Sequence, residues 1–295
     1  MDDRPIGVFD SGFGGLTVAR ALIDLVPAED LVYVGDTGRY PYGPRPLGEV
    51  RAFARQIARY LVEEWAVKLV VVACNTATAA ALGVLRGELE VPVVGVIAPG
   101  LRAAVRATRN GRVGVVATTG TICSQAYERE NRALGSPVEL VCAPCPGFVE
   151  AVERGETSGE RVRALAEARL GPVRAAGIDT LLLGCTHYPF LARPIADTVG
   201  RDVVLVSSAE ETAFEVRAIL ADGALARAPV LPRTTGARAL ARTGPGPTAL
   251  DPADDGWAPA GAQHRWCSSG DLGLFAELGR RLLGPELDRV EAVPW

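Results

Sequence analysis

Apolar residues along this chain come in short, nearly unbroken runs separated by longer segments with a helical period. The runs IGVFD, LVYVGD, LVVVAC and VPVVGVI lie in the first hundred residues, and VGVVAT, VELVCA, TLLLGC and VVLVSS follow. Each is rich in Val, Ile and Leu and lacks apolar–polar alternation, the pattern of parallel strands buried on both faces. Between them, segments such as LTVARALIDLV and LGEVRAFARQIARYLVEEW place apolar residues three and four positions apart, which predicts crossover helices. The alternation predicts an α/β fold with mainly parallel sheets.

The eight runs divide into two sets of four. Ile6 and Val113 open the first run of each set, Leu31 and Val138 the second, Leu69 and Leu181 the third, and Val93 and Val203 the fourth. The offsets are 107, 107, 112 and 110 residues. The loops after the first runs also echo, with Asp-Ser-Gly at 10–12 and Ala-Thr-Thr-Gly at 117–120. This spacing predicts two pseudo-symmetric, doubly wound domains facing a central cleft. After Ser208 a helix is expected, and then residues 224–263, rich in Ala, Gly, Pro and Arg, read as a flexible loop. Order is expected to return at WCSSGDLGLFAELGRRLLG, with Ser269 or Asp271 as a helix N-cap.

The third run of each set ends in a thiol: Cys74-Asn75-Thr76 in the first and Cys185-Thr186-His187 in the second. Ligand sites in open α/β sheets lie outside the carboxyl ends of the strands, so facing halves would aim both thiols into one cleft. A lone buried cysteine is usually an inert small hydrophobe, but symmetric placement beside polar residues argues for use. Asn75, Thr76, Thr186 and His187 are suitable donors for a carboxylate, and Asp10 or His187 can tune or relieve a thiol of its proton. Two thiols on opposite sides of a small anion suit removal of a proton from one face and its return to the other. That is the chemistry of a two-base isomerase or racemase.

Composition narrows the alternatives. A net charge of −4 and a pI near 5.4 argue against a nucleic-acid binder, and Arg102, Arg106, Arg109 and Arg112 read as a solvated helix face. No apolar stretch is long enough to span a membrane. A first strand beginning by Ile6 leaves no room for a signal peptide, and six scattered cysteines suit a reducing cytoplasm. The chain has a single lysine, Lys68, which lacks any motif for a Schiff-base cofactor. The DSGFGG loop at 10–15 has Thr17 where the dinucleotide fingerprint has its third glycine, and it lacks the P-loop Lys. It reads instead as a helix opening whose N–H groups face an anion, with Asp10 as N-cap or acid–base helper. Cys142-Ala-Pro-Cys145 has a redox-motif spacing in the wrong place and is read as coincidence. Two histidines make a zinc site unexpected, and no Gly-x-Ser-x-Gly elbow is present. His264 is read as solvated, and Pro41-Tyr42-Gly43, following the second run, as lining the cleft.

The segments IGVFDSGFGGLTVARAL, GDTGRYPYG, ACNTATAAAL, GVVATTGTICSQAY, LGCTHYPFL and SSGDLGLF together resemble the glutamate racemase family of the cofactor-independent aspartate/glutamate racemase superfamily. The resemblance covers nearly the whole chain outside 224–263. It implies interconversion of L- and D-glutamate without pyridoxal phosphate, metal or nucleotide, supplying D-glutamate for peptidoglycan. Cys74 would take the α-proton from D-glutamate and Cys185 from L-glutamate, with Asp10, Glu153 and His187 assisting. Ser11, Tyr42, Gly43, Asn75, Thr76, Thr118, Thr121 and Thr186 match substrate-contacting positions. The family fold implies a first domain of residues 1–97 plus 208–295, a second of 98–207, and a homodimer. Two departures stand out. Gly147-Phe148-Val149-Glu150 after Cys145-Pro146 leaves Glu150 open as the alternative to Glu153, and the 224–263 segment is unusually long. The same fold acting on aspartate, or an amino-acid binder without catalysis, are the competing readings.

Overall fold

The computed structural model describes residues 2–222, 225 and 262–295; the expected 224–263 loop lies outside these except at 225, 262 and 263. The first half runs β1 (Ile6–Asp10), α1 (Leu16–Leu25), β2 (Leu31–Gly35), α2 (Leu47–Trp65), β3 (Leu69–Val72), α3 (Asn75–Glu88) and β4 (Val93–Gly95). After α4 (Ile97–Ala107) come β5 (Arg112–Ala117), α5 (Thr119–Cys123), α6 (Ala126–Ala133) and β6 (Glu139–Pro144). Then follow α7 (Phe148–Glu153), α8 (Glu160–Ala175), β7 (Thr180–Gly184), α9 (Ala192–Val199) and β8 (Val204–Ser207). The described chain ends with α10 (Ala209–Asp222), β9 (His264–Ser268), α11 (Leu272–Leu283) and β10 (Val290–Ala292).

The strands form two parallel sheets, ordered β10-β9-β2-β1-β3-β4 and β6-β5-β7-β8. Reading β5 to β8 as counterparts of β1 to β4, both sheets have the order second, first, third, fourth. The repeat expected from the spacing is therefore present in the topology. In most strands the unalternating runs have the expected cause, successive residues entering different cores, whereas β6 and β8 at the edges of the second sheet are only partly buried. In β3, Leu69 and Val71 join a core that continues into the second half, while Val70 and Val72 pack beneath α2 and α3. Helix α2 buries Val50, Ala54, Ile57, Ala58 and Leu61 along one stripe. Full burial of each of the larger aliphatic side chains is worth about 1.5–3 kcal/mol.

Two strands were not expected. β9 pairs with β2, from Leu31↔His264 to Gly35↔Ser268, and β10 pairs with β9. His264 is therefore not a solvated side chain: it stands half-buried in β9 with its ring edge-on to Trp266 at 5.9 Å. Burial lowers its pKa below the ordinary histidine value. Asp271 is the N-cap of α11, accepting the Leu274 N–H at 3.0 Å. Arg102 and Arg106 of α4 are more than solvated, reaching Glu215 and Glu211 of α10. Lys68 is buried at the foot of β3, 2.5 Å from Glu29 Oε2 and donating to the Asp2 carbonyl at 2.7 Å. No described helix is long and apolar enough to cross a membrane.

Candidate active site

In each sheet the chain winds one way from the first strand to the second and the other way to the third. A crevice opens at such a switch point, outside the carboxyl ends of those strands. The crevices of the two sheets face each other and merge into one cavity. Cys74 beyond β3 and Cys185 beyond β7 both line it, along with Ser11 after β1 and Thr118 after β5.

Cys74 is the N-cap of α3, its sulfur accepting the Ala77 N–H at 3.4 Å and donating toward Ser11 Oγ at 3.8 Å. Burial, reinforced by the Asp10 carboxylate and opposed by the Ala77 N–H, pushes this thiol up to about 12. It therefore rests as S–H, a proton donor. Cys185 has a different neighbour: His187 Nδ1 lies 3.9 Å from its sulfur. The other ring nitrogen, Nε2, is 2.7 Å from Glu153 Oε1. Burial alone would push His187 down, but the hydrogen bonds to Cys185 and Glu153 outweigh it and raise the ring to about 10. A protonated imidazole is thus held between a sulfur and a carboxylate.

Asp10 is fully buried, its Oδ2 accepting the Gly12 N–H at 2.9 Å and its Oδ1 the Thr186 hydroxyl at 3.3 Å. It therefore closes the turn after β1 and does not cap α1. Within the DSGFGG loop the Gly12 N–H is taken by Asp10, while Ser11 lines the cavity. The first N–H groups of α1 are spent on the carbonyls of Phe13, Gly14 and Gly15. The helix starts that do face the cavity are those of α3 and α5.

At those starts Thr76, Thr118 and Thr121 form a hydroxyl triangle with sides of 2.9, 3.1 and 3.0 Å. Asn75 donates to Tyr127 Oη at 2.9 Å and leaves its own Oδ1 buried without a partner among the described residues. A buried polar atom left unmet costs about 1–3 kcal/mol, which a ligand N–H would offset. Tyr42 also lines the cavity, and its hydroxyl donates to Asp36. The main-chain N–H groups of Tyr42 and Gly43 meet no protein acceptor among the described residues. Gly43 also joins the halves, its carbonyl accepting the Gly120 N–H at 2.9 Å. A Cβ at Gly43 would sit 2.9 Å from that of Thr118.

All the expected site residues stand in or beside this cavity, but several of its walls were not foreseen. Glu150 and Glu153 both project from one turn of α7, three residues apart. Glu150 lines the cavity while Glu153 holds His187. Cys145 also lines the cavity, whereas Cys142 packs in a separate core, so the two do not form a dithiol pair. The signal for this wall was the repeat itself: residues after β6 are the counterparts of Tyr40 to Pro44 after β2. Among the described residues no group of three or more His, Cys, Asp or Glu is arranged to hold a metal ion.

Paired parallel sheets that set two thiols and a ring of amide and hydroxyl donors around one cleft define a protein built for acid–base chemistry on a small anion. Residues 6–215 match the family model Asp/Glu/Hydantoin racemase, and the chain belongs to that family. It is 48% identical over 294 residues to a glutamate racemase from Parafrankia sp., covering 100% of this chain and 96% of the relative. Identity to a glutamate racemase from Beutenbergia cavernae is 50% over 293 residues, 98% of this chain and 93% of the relative. Among solved structures, a glutamate racemase isoform from Bacillus anthracis superposes with a TM-score of 0.85 at 36% identity, covering 100% of this chain and 98% of that one. Another from Francisella tularensis, in complex with D-glutamate, gives 0.84 at 30% identity with the same coverage.

Proposed function

We propose that this protein is a glutamate racemase that interconverts L- and D-glutamate by proton transfer between Cys74 and Cys185. The observation that carries the reading is the pair of thiols, one from each half, lining a single cavity whose remaining polar groups are carboxylate and ammonium partners. Full-length kinship with glutamate racemases supports the choice of substrate.

The substrate's α-carbon lies between the sulfurs. From L-glutamate the Cys185 thiolate takes the α-proton, the electron pair passes into the α-carboxylate, and the Cys74 S–H delivers its proton to the opposite face. Cys185 is then the thiol and Cys74 the thiolate, the state that accepts D-glutamate. Donors at the starts of α3 and α5 hold the carboxylate as charge develops on it. The N–H groups of Tyr42 and Gly43 suit the second carboxylate, and Asn75 Oδ1 with Asp10 the ammonium. His187, braced by Glu153, stabilises the Cys185 thiolate. D-glutamate made this way supplies peptidoglycan synthesis in the cytoplasm, and the active form is a homodimer.

Circular dichroism of the protein mixed with L-glutamate, then with D-glutamate, in cofactor-free buffer with chelator and reductant tests this reading. Optical activity should decay from both enantiomers, and Cys74→Ala or Cys185→Ala should abolish the decay. Decay with aspartate in place of glutamate would move the substrate, and no decay with any amino acid would leave a binder.

A further inference from the structure

Trp295 is remote from the cavity, yet it touches a chain of side chains that ends at the cavity wall. Its ring lies 5.5 Å from Arg39 Cζ, and the same guanidinium lies 4.3 Å over the ring of Phe53 from α2. Arg39 Nε donates to both oxygens of Asp36, at 2.7 and 3.0 Å, and its Nη1 to Gln56 Oε1 at 2.7 Å. Asp36 is fully buried and also accepts the Ser269 hydroxyl at 2.6 Å and the Tyr42 hydroxyl. Tyr42 and Gly43 then form the wall that carries the two unmet N–H groups and abuts Thr118 and Gly120.

A cation shielded by aromatic faces is held more firmly than one in water, because the rings attract it while excluding solvent. A less solvated guanidinium in turn binds its carboxylate more tightly. We propose that Trp295 is a positioning residue for substrate binding, acting through Arg39 and Asp36 to fix the Tyr42–Gly43 wall of the cleft. Only the kinetic part of the test below rests on the racemase reading; the rigidity of the wall is measured without substrate.

Hydrogen–deuterium exchange is compared between wild type, Trp295→Ala and Trp295→Phe. In Trp295→Ala, peptides covering residues 38–45 should exchange about tenfold faster while those of β1 and β3 stay unchanged. Trp295→Phe, which retains a ring beside Arg39, should stay within about twofold of wild type. With glutamate, KM of Trp295→Ala should rise about threefold to tenfold while kcat changes less than about twofold, as expected for lost binding rather than lost chemistry. Unchanged exchange at 38–45 would overturn the inference, as would acceleration shared equally by β1 and β3, which marks simple destabilisation. Local loosening without a rise in KM would overturn the substrate-positioning role. A wild type that does not turn over glutamate removes the functional reading, and the exchange comparison alone then decides whether Trp295 fixes the wall.

Discussion

Cys74 has a serine hydroxyl and a helix N–H for partners, while Cys185 has an imidazole whose far nitrogen is bonded to Glu153. The topological repeat delivers both sulfurs to strand ends, but the residues that follow them set unequal surroundings. His187 carries the measurable signature of this. Its folded pKa of about 10 lies above the ordinary 6.5, so the folded protein binds the ring proton more tightly than the unfolded chain does. The resulting stability is fully present below pH 6.5 and is lost as pH rises through about 10. The stability gap between wild type and His187→Gln, read from urea unfolding, should therefore narrow across that window. A gap that is constant or widens with pH contradicts the charged-ring assignment.

At the scale of elements, the loop after β1 and the segment after β7 approach more closely than any side chain would allow. A Cβ on Gly14 would lie 2.5 Å from His187 Nδ1 and 2.7 Å from Thr186 Oγ1. Gly14→Ala should displace the imidazole from Cys185 and lower kcat/KM by about a hundredfold, the penalty typical of misplacing a catalytic group by about 1 Å. Gly83, inside α3, has nothing within 4 Å of its would-be Cβ. Gly83→Ala should stabilise the fold by about 0.5–1 kcal/mol with activity unchanged. Reversed outcomes in the activity assay would show that the contact at Gly14 is not structural to the site. The strands that carry these loops were legible because each is a buried apolar run. β9 and β10 were not: HRWCS and VEA mix charge with apolar residues, and their pairing depends on β2 being available at the sheet edge. Cys145 escaped for a related reason, since its neighbours along the chain carry no signal and only the equivalence of β6 with β2 places it at the cleft, while Glu150 was legible only as the alternative to Glu153.

For the molecule as a whole, two halves with the same strand order share a continuous core and meet again across the cleft through Gly43, Gly120 and the threonine triangle. The 107-residue repeat foretold the facing halves, and hence the meeting of the two thiols. The partners of each thiol come from contacts far apart in sequence and needed the structure. The lone lysine shows the same limit. Composition marked Lys68 as an improbable cofactor anchor, and the fold gives it a structural role, buried against Glu29. Lys68→Met should lower the unfolding free energy by about 1–3 kcal/mol, because the buried Glu29 carboxylate and the Asp2 carbonyl lose the ammonium that bonds them. A loss below about 1 kcal/mol in urea denaturation would show that Glu29 is accommodated by other means.

If two different thiols serve the two faces of one α-carbon, turnover in heavy water will show it. Starting from L-glutamate, a two-base enzyme puts deuterium on the α-carbon of the D product while unreacted L-glutamate keeps its protium at early conversion. That pattern is expected by proton NMR, with its mirror image starting from D-glutamate and loss of both in Cys74→Ala and Cys185→Ala. Equal early labelling of substrate and product would indicate a single base, and turnover surviving either substitution would contradict the paired-thiol mechanism outright.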